Sequence, residues 1–500
     1  MIVRVIFLLP LLLLYQGIEK PARNEEPGHA AVACDAAAEP IHIGDRRQLF
    51  IDERFIAASE RVTLTTNQAQ KLGALLDENG QPLMGHVSRV IEDSGKIRLY
   101  LGHDSVEVLE SDDGLHFRRT GVSLGGGGFS TIFLDPHEAD PARRYKLFHL
   151  EFSPPFDPAK HGVFASYSAD GVHFTPVGRV LPFFTDNPPI ALWDERLGKY
   201  VVYVRAFCYD SENQRRVGRI ECDDLLKPWP FQATGHDRMF LSIDNVPVVL
   251  SADAQDDPHS DIYYNGATIY PWAQDVYLMF TTQFRHFSPE RNPFIRPKAP
   301  GQWEDFGMLE VQLATSRDGV NWRRPSRDAY FPTGLADEWD RWYAVMGPGI
   351  ARRGNYLYQY YNSSGRLHDS VVLRAEYDDT AKQLGGVGVV RQRLDGFVSA
   401  DADHQGGWLT TPPVIFSGRH LRLNIDTGAM GTAFVELQDA DGQPLPGFSL
   451  ADCEEIGGNF IDQRVYWKGN ADVSSLAGRP VRLHVKLKRT KLYALGFANE

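Results

Sequence analysis

Four carboxylates in this 500-residue chain stand where a side chain leaving a β-strand could reach a shared pocket. Asp186 lies in Thr185-Asp186-Asn187-Pro188-Pro189, just ahead of the apolar residues 190–193. That placement also suits an Asx-turn before proline. Glu310 interrupts the apolar run 308–313 (MLEVQL) and must face either solvent or a pocket. Asp261 precedes Ile262-Tyr263-Tyr264-Asn265, and Asp340 sits with Glu338 in the segment 338–343 (EWDRWY). Two carboxyl groups in one cavity, one buried and raised in pKa, the other ionised, can divide acid and base work across a bond. Asp186 and Glu310 are the expected pair, with Asp261 or Asp340 in support. His86, Arg205 and His286 stand at the ends of apolar runs. They suit binding of hydroxyls, a carboxylate or a sulfate, or structural hydrogen bonds. Trp339, Trp342 and Tyr343 offer flat faces for stacking, or packing between sheets.

The elements that must position these residues are β-strands. The phrase S-x-D-G-x-x-(F/W) occurs at residues 111–117, 168–174 and 316–322. Asp-Gly suits a type I′ hairpin turn, and the Ser and Asp side chains can bond the turn backbone. Asp113, Asp170 and Asp318 are therefore structural. An apolar strand, a polar turn and an aromatic-rich strand recur five times. The second strands begin near Lys96 (KIRLYL), Tyr145 (YKLFHL), Lys199 (KYVVYV), Asp275 (DVYLMF) and Asn355 (NYLYQYY). Such a repeat predicts a five-bladed β-propeller, whose blades bring loops to one axial pocket. Residues 48–56 are expected to complete the last blade. Beyond 394–399 (LDGFVS) the spacing changes. Val481, Leu483, Val485 and Leu487 alternate with Arg, His and Lys, as in a half-buried antiparallel strand. The fold class is all-β: a five-bladed β-propeller followed by a C-terminal β-sandwich. The expected division is 1–40 as signal peptide and disordered linker, 41–398 as propeller and 399–500 as sandwich. Long loops at 252–261 and 285–307 are candidate rims of the pocket.

Composition narrows the partners. Lys and Arg number 52 against 65 Asp and Glu, a net charge of −13. With no basic run, nucleic acid and anionic membrane surfaces are not expected partners. Arg4 followed by the short apolar stretch 5–14 predicts a signal peptide and a periplasmic or extracellular location. Cys34, after Ala31-Val32-Ala33, leaves a lipoprotein as the minority alternative, and no transmembrane segment is expected after processing. Cys208 and Cys222 lie on two strands of one hairpin. With a turn near Glu212, Cys208 faces Arg216 and Cys222 faces Val202, too far apart for a disulfide. No Cys/His spacing resembles a zinc site. No cofactor or metal is predicted; a structural calcium is possible but not part of the prediction.

Several stretches resemble bacterial exported proteins related to the invertase, levansucrase and arabinanase glycosidases (family 32/43-like). They are Gln48-Leu49-Phe50-Ile51-Asp52, Ala191-Leu192-Trp193-Asp194 with Gly198-Lys199-Tyr200, residues 267–270 with 276–280, Ser316-Arg317-Asp318-Gly319 and Leu394-Asp395-Gly396-Phe397-Val398. Residues 435–439, 447–450, 452–453 and 478–481 match in the tail. The resemblance covers about 45–497. It implies a propeller with a sandwich, a carbohydrate substrate and glycoside hydrolysis by two carboxyl groups in the axial pocket. The invertase motifs W-M-N-D-P-N-G, R-D-P and E-C-P are absent, so no catalytic residue carries over. A non-catalytic glycan-binding propeller is the alternative. A sialidase-like enzyme, which needs an arginine cluster with a Tyr/Glu pair, ranks third.

Overall fold

The computed structural model describes residues 39–500 apart from 103–104, 125–128, 153–156, 158–159, 210–214, 287–306, 336 and 369–384. The N-terminal segment with Cys34, and most of the loop at 285–307, lie outside the described residues. Among the described residues the chain is all β, with three short 3-10 turns and no α-helix. No helix there is long and apolar enough to cross a membrane.

Three four-stranded antiparallel sheets follow one another. The first runs His86–Asp93, Lys96–Gly102, Val106–Ser111 and Arg118–Leu124. The second runs Ser130–Leu134, Tyr145–Glu151, Gly162–Ser168 and Thr175–Leu181. The third runs Ile190–Asp194, Lys199–Phe207, Arg215–Cys222 and Val248–Leu250. A nine-stranded sheet holds two further meanders, joined by one parallel pair, Leu309 with Tyr343. The fourth meander is Ser260–Tyr264 and Ala267–Ile269, Tyr277–His286 and Gly307–Ser316. The fifth is Tyr343–Met346 and Ala351–Arg353, Tyr356–Ser364, Gly385–Arg393 and the early strand Gln70–Ala74. Contacts pass from each meander to the next, and Tyr356–Ser364 of the fifth returns to His86–Asp93 of the first. An apolar cluster fills every junction. Burying each large side chain there stabilises the fold by roughly 1.5–3 kcal/mol.

The repeated turns tie neighbouring meanders together. In each, the Ser Oγ accepts from the glycine N–H, at 2.9 Å for Ser111, 3.0 Å for Ser168 and 2.9 Å for Ser316. The Asp carboxylate accepts from the next two N–H groups. Only the glycine has positive φ (80°, 77° and 69°). The turn is therefore not the expected type I′, which needs two such residues; the Asp side chain does the work of the second. A buried tyrosine from the adjoining meander donates to the glycine carbonyl: Tyr360 to Gly114 at 2.9 Å, Tyr100 to Gly171 at 3.2 Å and Tyr203 to Gly319 at 2.6 Å. A Cβ on these glycines would lie 2.9, 2.6 and 2.7 Å from the tyrosine hydroxyls. Glycine is thus required for closeness as well as for φ.

The first strands differ from expectation. Residues 48–56 do not complete the fifth meander. Gln48–Leu49 pairs with Thr490–Ala498 instead, and Gln70–Ala74 pairs with Gly385–Arg393. Ile41–Gly44, Ala58–Glu60 and Thr63–Thr66 likewise pair with Val414–Phe416, Gly407–Thr410 and Val398–Ala402. Ile41–Gly44 and Val414–Phe416 form a two-stranded sheet of their own, while Gln48–Leu49, Ala58–Glu60 and Thr63–Thr66 extend two C-terminal sheets. One is built on His420–Asp426, Asn459–Arg464 and Thr490–Ala498, the other on Thr432–Gln438 and Arg482–Lys488. They enclose a core that includes Leu423, Val435, Leu483, Val485, Leu487 and Trp467. Where the chain passes from Gly385–Arg393 to this part, the fully buried Asp395 accepts from Arg47 Nη1 (2.7 Å), Tyr270 Oη (2.7 Å) and Asn424 Nδ2 (2.9 Å).

Cys208, Cys222 and Cys453 are free and buried. The pairing register is two residues from that expected: Cys222 faces Tyr200, and Ala206 faces Arg216. The absence of a 208–222 bond is unaffected. Burial pushes the Cys222 thiol up to about 12 and the Cys453 thiol up to about 11. Alkylation of unreduced, denatured protein followed by peptide mass mapping should therefore find all three labelled, and labelling of native protein should be slow. A linked 208–222 peptide would contradict the register.

Candidate functional site

Residues at or near the first strands of all five meanders meet around one cavity. Its wall comprises His86, Val87 and Ser88 from the first, Phe129 and Ser130 from the second, Asn187 and Pro188 ahead of the third, Tyr263 and Tyr264 from the fourth, and Tyr343, Val345, Met346 and Asn362 from the fifth. The cavity is narrow, about 50 Å3, below the roughly 300–1,000 Å3 of drug-sized sites. The wall is aromatic and amide-rich and, among the described residues, carries no carboxylate. His86 stacks on Phe129 with ring centroids 5.8 Å apart, and its Nδ1 lies 3.3 Å from Asn362 Nδ2.

Asp186 stands at the rim, next to Asn187. Its φ of 56° is in the left-handed region, which Asp tolerates better than most residues. Its carboxylate bonds the Arg205 guanidinium; the Asp186 side chain is 38% exposed and that of Arg205 3%. Arg205 Nε donates to the Tyr263 carbonyl at 3.1 Å, and Asn187 Nδ2 donates to the same oxygen at 2.6 Å. The Arg205 guanidinium also covers the Tyr263 ring, 4.4 Å from its centroid. Tyr263 thus locks the strand Ser260–Tyr264 to the third sheet. Its hydroxyl lies 3.1 Å from His368 Nε2, and Tyr343 stacks parallel to His368.

Asp261 is fully buried on the same strand. Its Oδ2 accepts from Arg215 Nη1 at 3.0 Å and from the Arg215 backbone N–H at 3.2 Å, with His286 Nε2 at 3.4 Å. Burial pushes its carboxyl up, but the His286 hydrogen bond and the Arg215 charge outweigh this, and the net shift is downward. Asp261 is therefore an ionised anchor for Arg215 and His286, not a proton donor.

The other candidates are dispersed. Glu310 lies in the third strand of the fourth meander and accepts from Gln312 Nε2 at 2.9 Å. It faces Gln283, which faces Ile262, whereas Asp261 faces Phe284, which faces Leu309. Directly opposed residues share a sheet face, so Glu310 is on the face away from Asp261, and it does not line the cavity. The expected pairing of Asp186 with Glu310 in one pocket is corrected accordingly: a polar residue in an apolar strand can satisfy itself along its own sheet. Asp340 is also corrected. Its buried carboxylate takes Lys71 Nζ at 2.6 Å and the Tyr361 hydroxyl at 2.8 Å, beneath the closing strand. Trp339 packs on Tyr361, 5.9 Å between centroids, and Trp342 lies outside the cavity wall. Of the sequence candidates, His86 and Tyr343 line the cavity, Asp186 and Arg205 flank it, and His286 acts through Asp261. Asn187, Tyr263, Tyr264, Phe129, Asn362 and Arg215 were not singled out. Proximity to Asp186 signalled Asn187, and proximity to Asp261 signalled Tyr263 and Tyr264; nothing local marked Asn362. Among the described residues no cluster of three or more His, Cys, Asp or Glu could hold a metal ion.

No protein-family profile and no curated protein matches the chain. Solved structures resemble it distantly. One described as a glycoside hydrolase is 14% identical over 65% of this chain and 92% of its own, with a TM-score of 0.41. An N-acetylgalactosamine deacetylase from F. plautii, in complex with blood group B trisaccharide, is 12% identical over 68% and 97%, with a TM-score of 0.39. An exo-β-1,3-galactanase from Phanerochaete chrysosporium, with β-1,3-galactotriose, is 10% identical over 87% and 100%, with a TM-score of 0.38.

Proposed function

We propose that the protein is a glycoside hydrolase that binds a sugar in this cavity, with Asp186 as the carboxylate acting on it. One observation carries the reading: all five meanders bring residues, among them Phe129, Tyr263, Tyr264, Tyr343, His86, Asn187 and Asn362, to one cavity, with Asp186 next to Asn187 of its wall. Aromatic faces cover the apolar face of a sugar, and amides and imidazole pair with its hydroxyls. The architecture proposed with it is a five-bladed propeller, the five meanders being its blades. The C-terminal sheets form a sandwich that includes residues 41–66 as well as 399–500. The ring of contacts and the strand pairings support both parts. We propose further that the protein is exported, on the strength of Arg4 and the apolar stretch 5–14.

Glycan binding without hydrolysis is the second reading. The specific observation behind it is that, among the described residues, no second carboxylate joins Asp186 at the cavity. The sialidase-like reading gains two arginines around Tyr263, but that hydroxyl meets His368 rather than a glutamate. A panel of plant and algal oligosaccharides decides, with released sugar followed by chromatography and binding by calorimetry. Cleavage supports the hydrolase. Binding without cleavage supports the second reading, and neither result removes both.

A further inference from the structure

Arg89 is a positive charge beside two residues of the cavity wall, and among the described residues no carboxylate pairs with it. It follows Val87 and Ser88, both in the cavity wall, at a register shift in the strand: Val87 faces Leu101 and Arg89 faces Tyr100. The shift leaves Ser88 as the extra residue, and such irregularities re-aim the side chains around them. Arg89 Nη1 and Ser88 Oγ are buried and have no hydrogen-bond partner. The third marker is Tyr264, which lines the cavity from the opposite part of the chain. Burial raises its hydroxyl's pKa, and the charges of Arg89 and Arg205 oppose that rise. Burial pushes Arg89 itself down to about 10, opposed by Tyr264.

The neighbouring arginines behave differently. Arg205 is paired with Asp186 and Arg215 with Asp261. For Arg89 there is no such carboxylate among the described residues, and the cavity wall offers none. Uncompensated buried charge is costly. The charge is also local, because the chain as a whole is acidic at −13. A planar guanidinium with a free serine hydroxyl beside it matches an oxyanion.

We propose that the cavity takes an anionic sugar, bearing a carboxylate or a sulfate ester, and that Arg89, with Ser88 and Tyr264, binds the anionic group. This rests on the reading of the cavity as a sugar site. The test is calorimetric titration of the full chain and of Arg89→Gln with D-galacturonate, galactose 6-sulfate, D-galactose and sodium sulfate. The wild type should bind one of the two charged sugars at least about tenfold more tightly than galactose, the scale of one hydrogen bond to a charged group. Which of the two is preferred separates carboxylate from sulfate ester. Arg89→Gln should lose the preference and keep the galactose affinity. Its melting temperature should hold or rise, because an unpaired charge is removed; should it fail to fold, Arg89→Lys must weaken the preference instead. Galactose bound as tightly as its charged forms, or a preference that survives Arg89→Gln, overturns the proposal and leaves the sugar site standing. Sulfate binding that depends on Arg89, with no sugar bound, keeps the anion site and removes the sugar reading. No binding of any of the four overturns both.

Discussion

Asp186→Asn should lower turnover of a cleavable glycoside at least about a hundredfold, the low end of what one positioned acid or base contributes. Asp186 is the carboxylate at the cavity rim, and its strained φ of 56° is compatible with Asn, so the variant keeps the backbone and loses the charge. The cost in stability is a second readout. Arg205 is 3% exposed and loses its carboxylate partner, so the melting temperature should fall. A view in which Asp186 repels a second acid predicts a rise instead. Glu310→Gln is the matched control. Its side chain bonds Gln312 in the third strand of its sheet, so turnover should stay within about twofold, well short of a general acid's share. Near-normal turnover in Asp186→Asn would remove the catalytic assignment and leave glycan binding as the reading.

The largest loss of stability is expected from Asp395→Ala. Asp395 is fully buried and accepts from three donors drawn from distant parts of the chain: Arg47, Tyr270 and Asn424. Its own N–H donates to Tyr270 Oη at 3.0 Å, which closes the network. Burial and the adjacent carboxylate hold the Tyr270 phenol well above its ordinary pKa, so it remains a donor at any physiological pH. Alanine leaves the buried Tyr270 hydroxyl and the Arg47 guanidinium without this acceptor, leaves Asn424 Nδ2 only the Leu394 carbonyl, and the φ of 63° adds strain that aspartate bears more easily. Removing one partner from such a network costs about 3–5 kcal/mol. For a chain of this length that corresponds to a melting shift of roughly 3–5 °C. Asp395→Asn, which keeps one acceptor oxygen and tolerates the backbone, should lose less. Equal losses in the two variants would mean that charge, not hydrogen bonding, holds the junction.

Local chemistry was legible in the sequence; long-range pairing was not. The S-x-D-G turns and the five aromatic-rich strands appear where their residue types place them, because serine, aspartate and glycine act within a few residues of one another. The strand that closes the fifth meander was misread as residues 48–56. Its real occupant, Gln70–Ala74, is short and partly exposed, and it has no strong alternation. What identifies it is a partner strand far along the chain: Arg391 Nη2 reaches Gln70 across 321 residues. The site divided along the same line. Residues at the starts of first strands, His86 and Asp186, were found by position alone. Glu310 was singled out as a polar residue inside an apolar strand, and it proved to be satisfied by Gln312. The same rule applied to residues 87–91 would have selected Arg89, which is not satisfied. The rule finds candidates, and only the partners in three dimensions decide between them.

The closing strand also sets the order in which the molecule can be made. Each meander in the first part of the ring joins neighbours in sequence and can form as it is synthesised. Gln70–Ala74 has no lateral partner until Gly385–Arg393 has followed it. At translation rates of roughly 5–20 residues per second, the intervening 321 residues take roughly 15–65 s. Through that interval the nascent chain carries an unpaired strand with open hydrogen-bonding groups, the kind of edge that recruits other chains. Pairing over so long a separation is slow for entropic reasons as well. Pairing of Gln70–Ala74 with Gly385–Arg393 is thus a late, single event in the life of the nascent chain, and a chain cut short before residue 385 keeps that edge open.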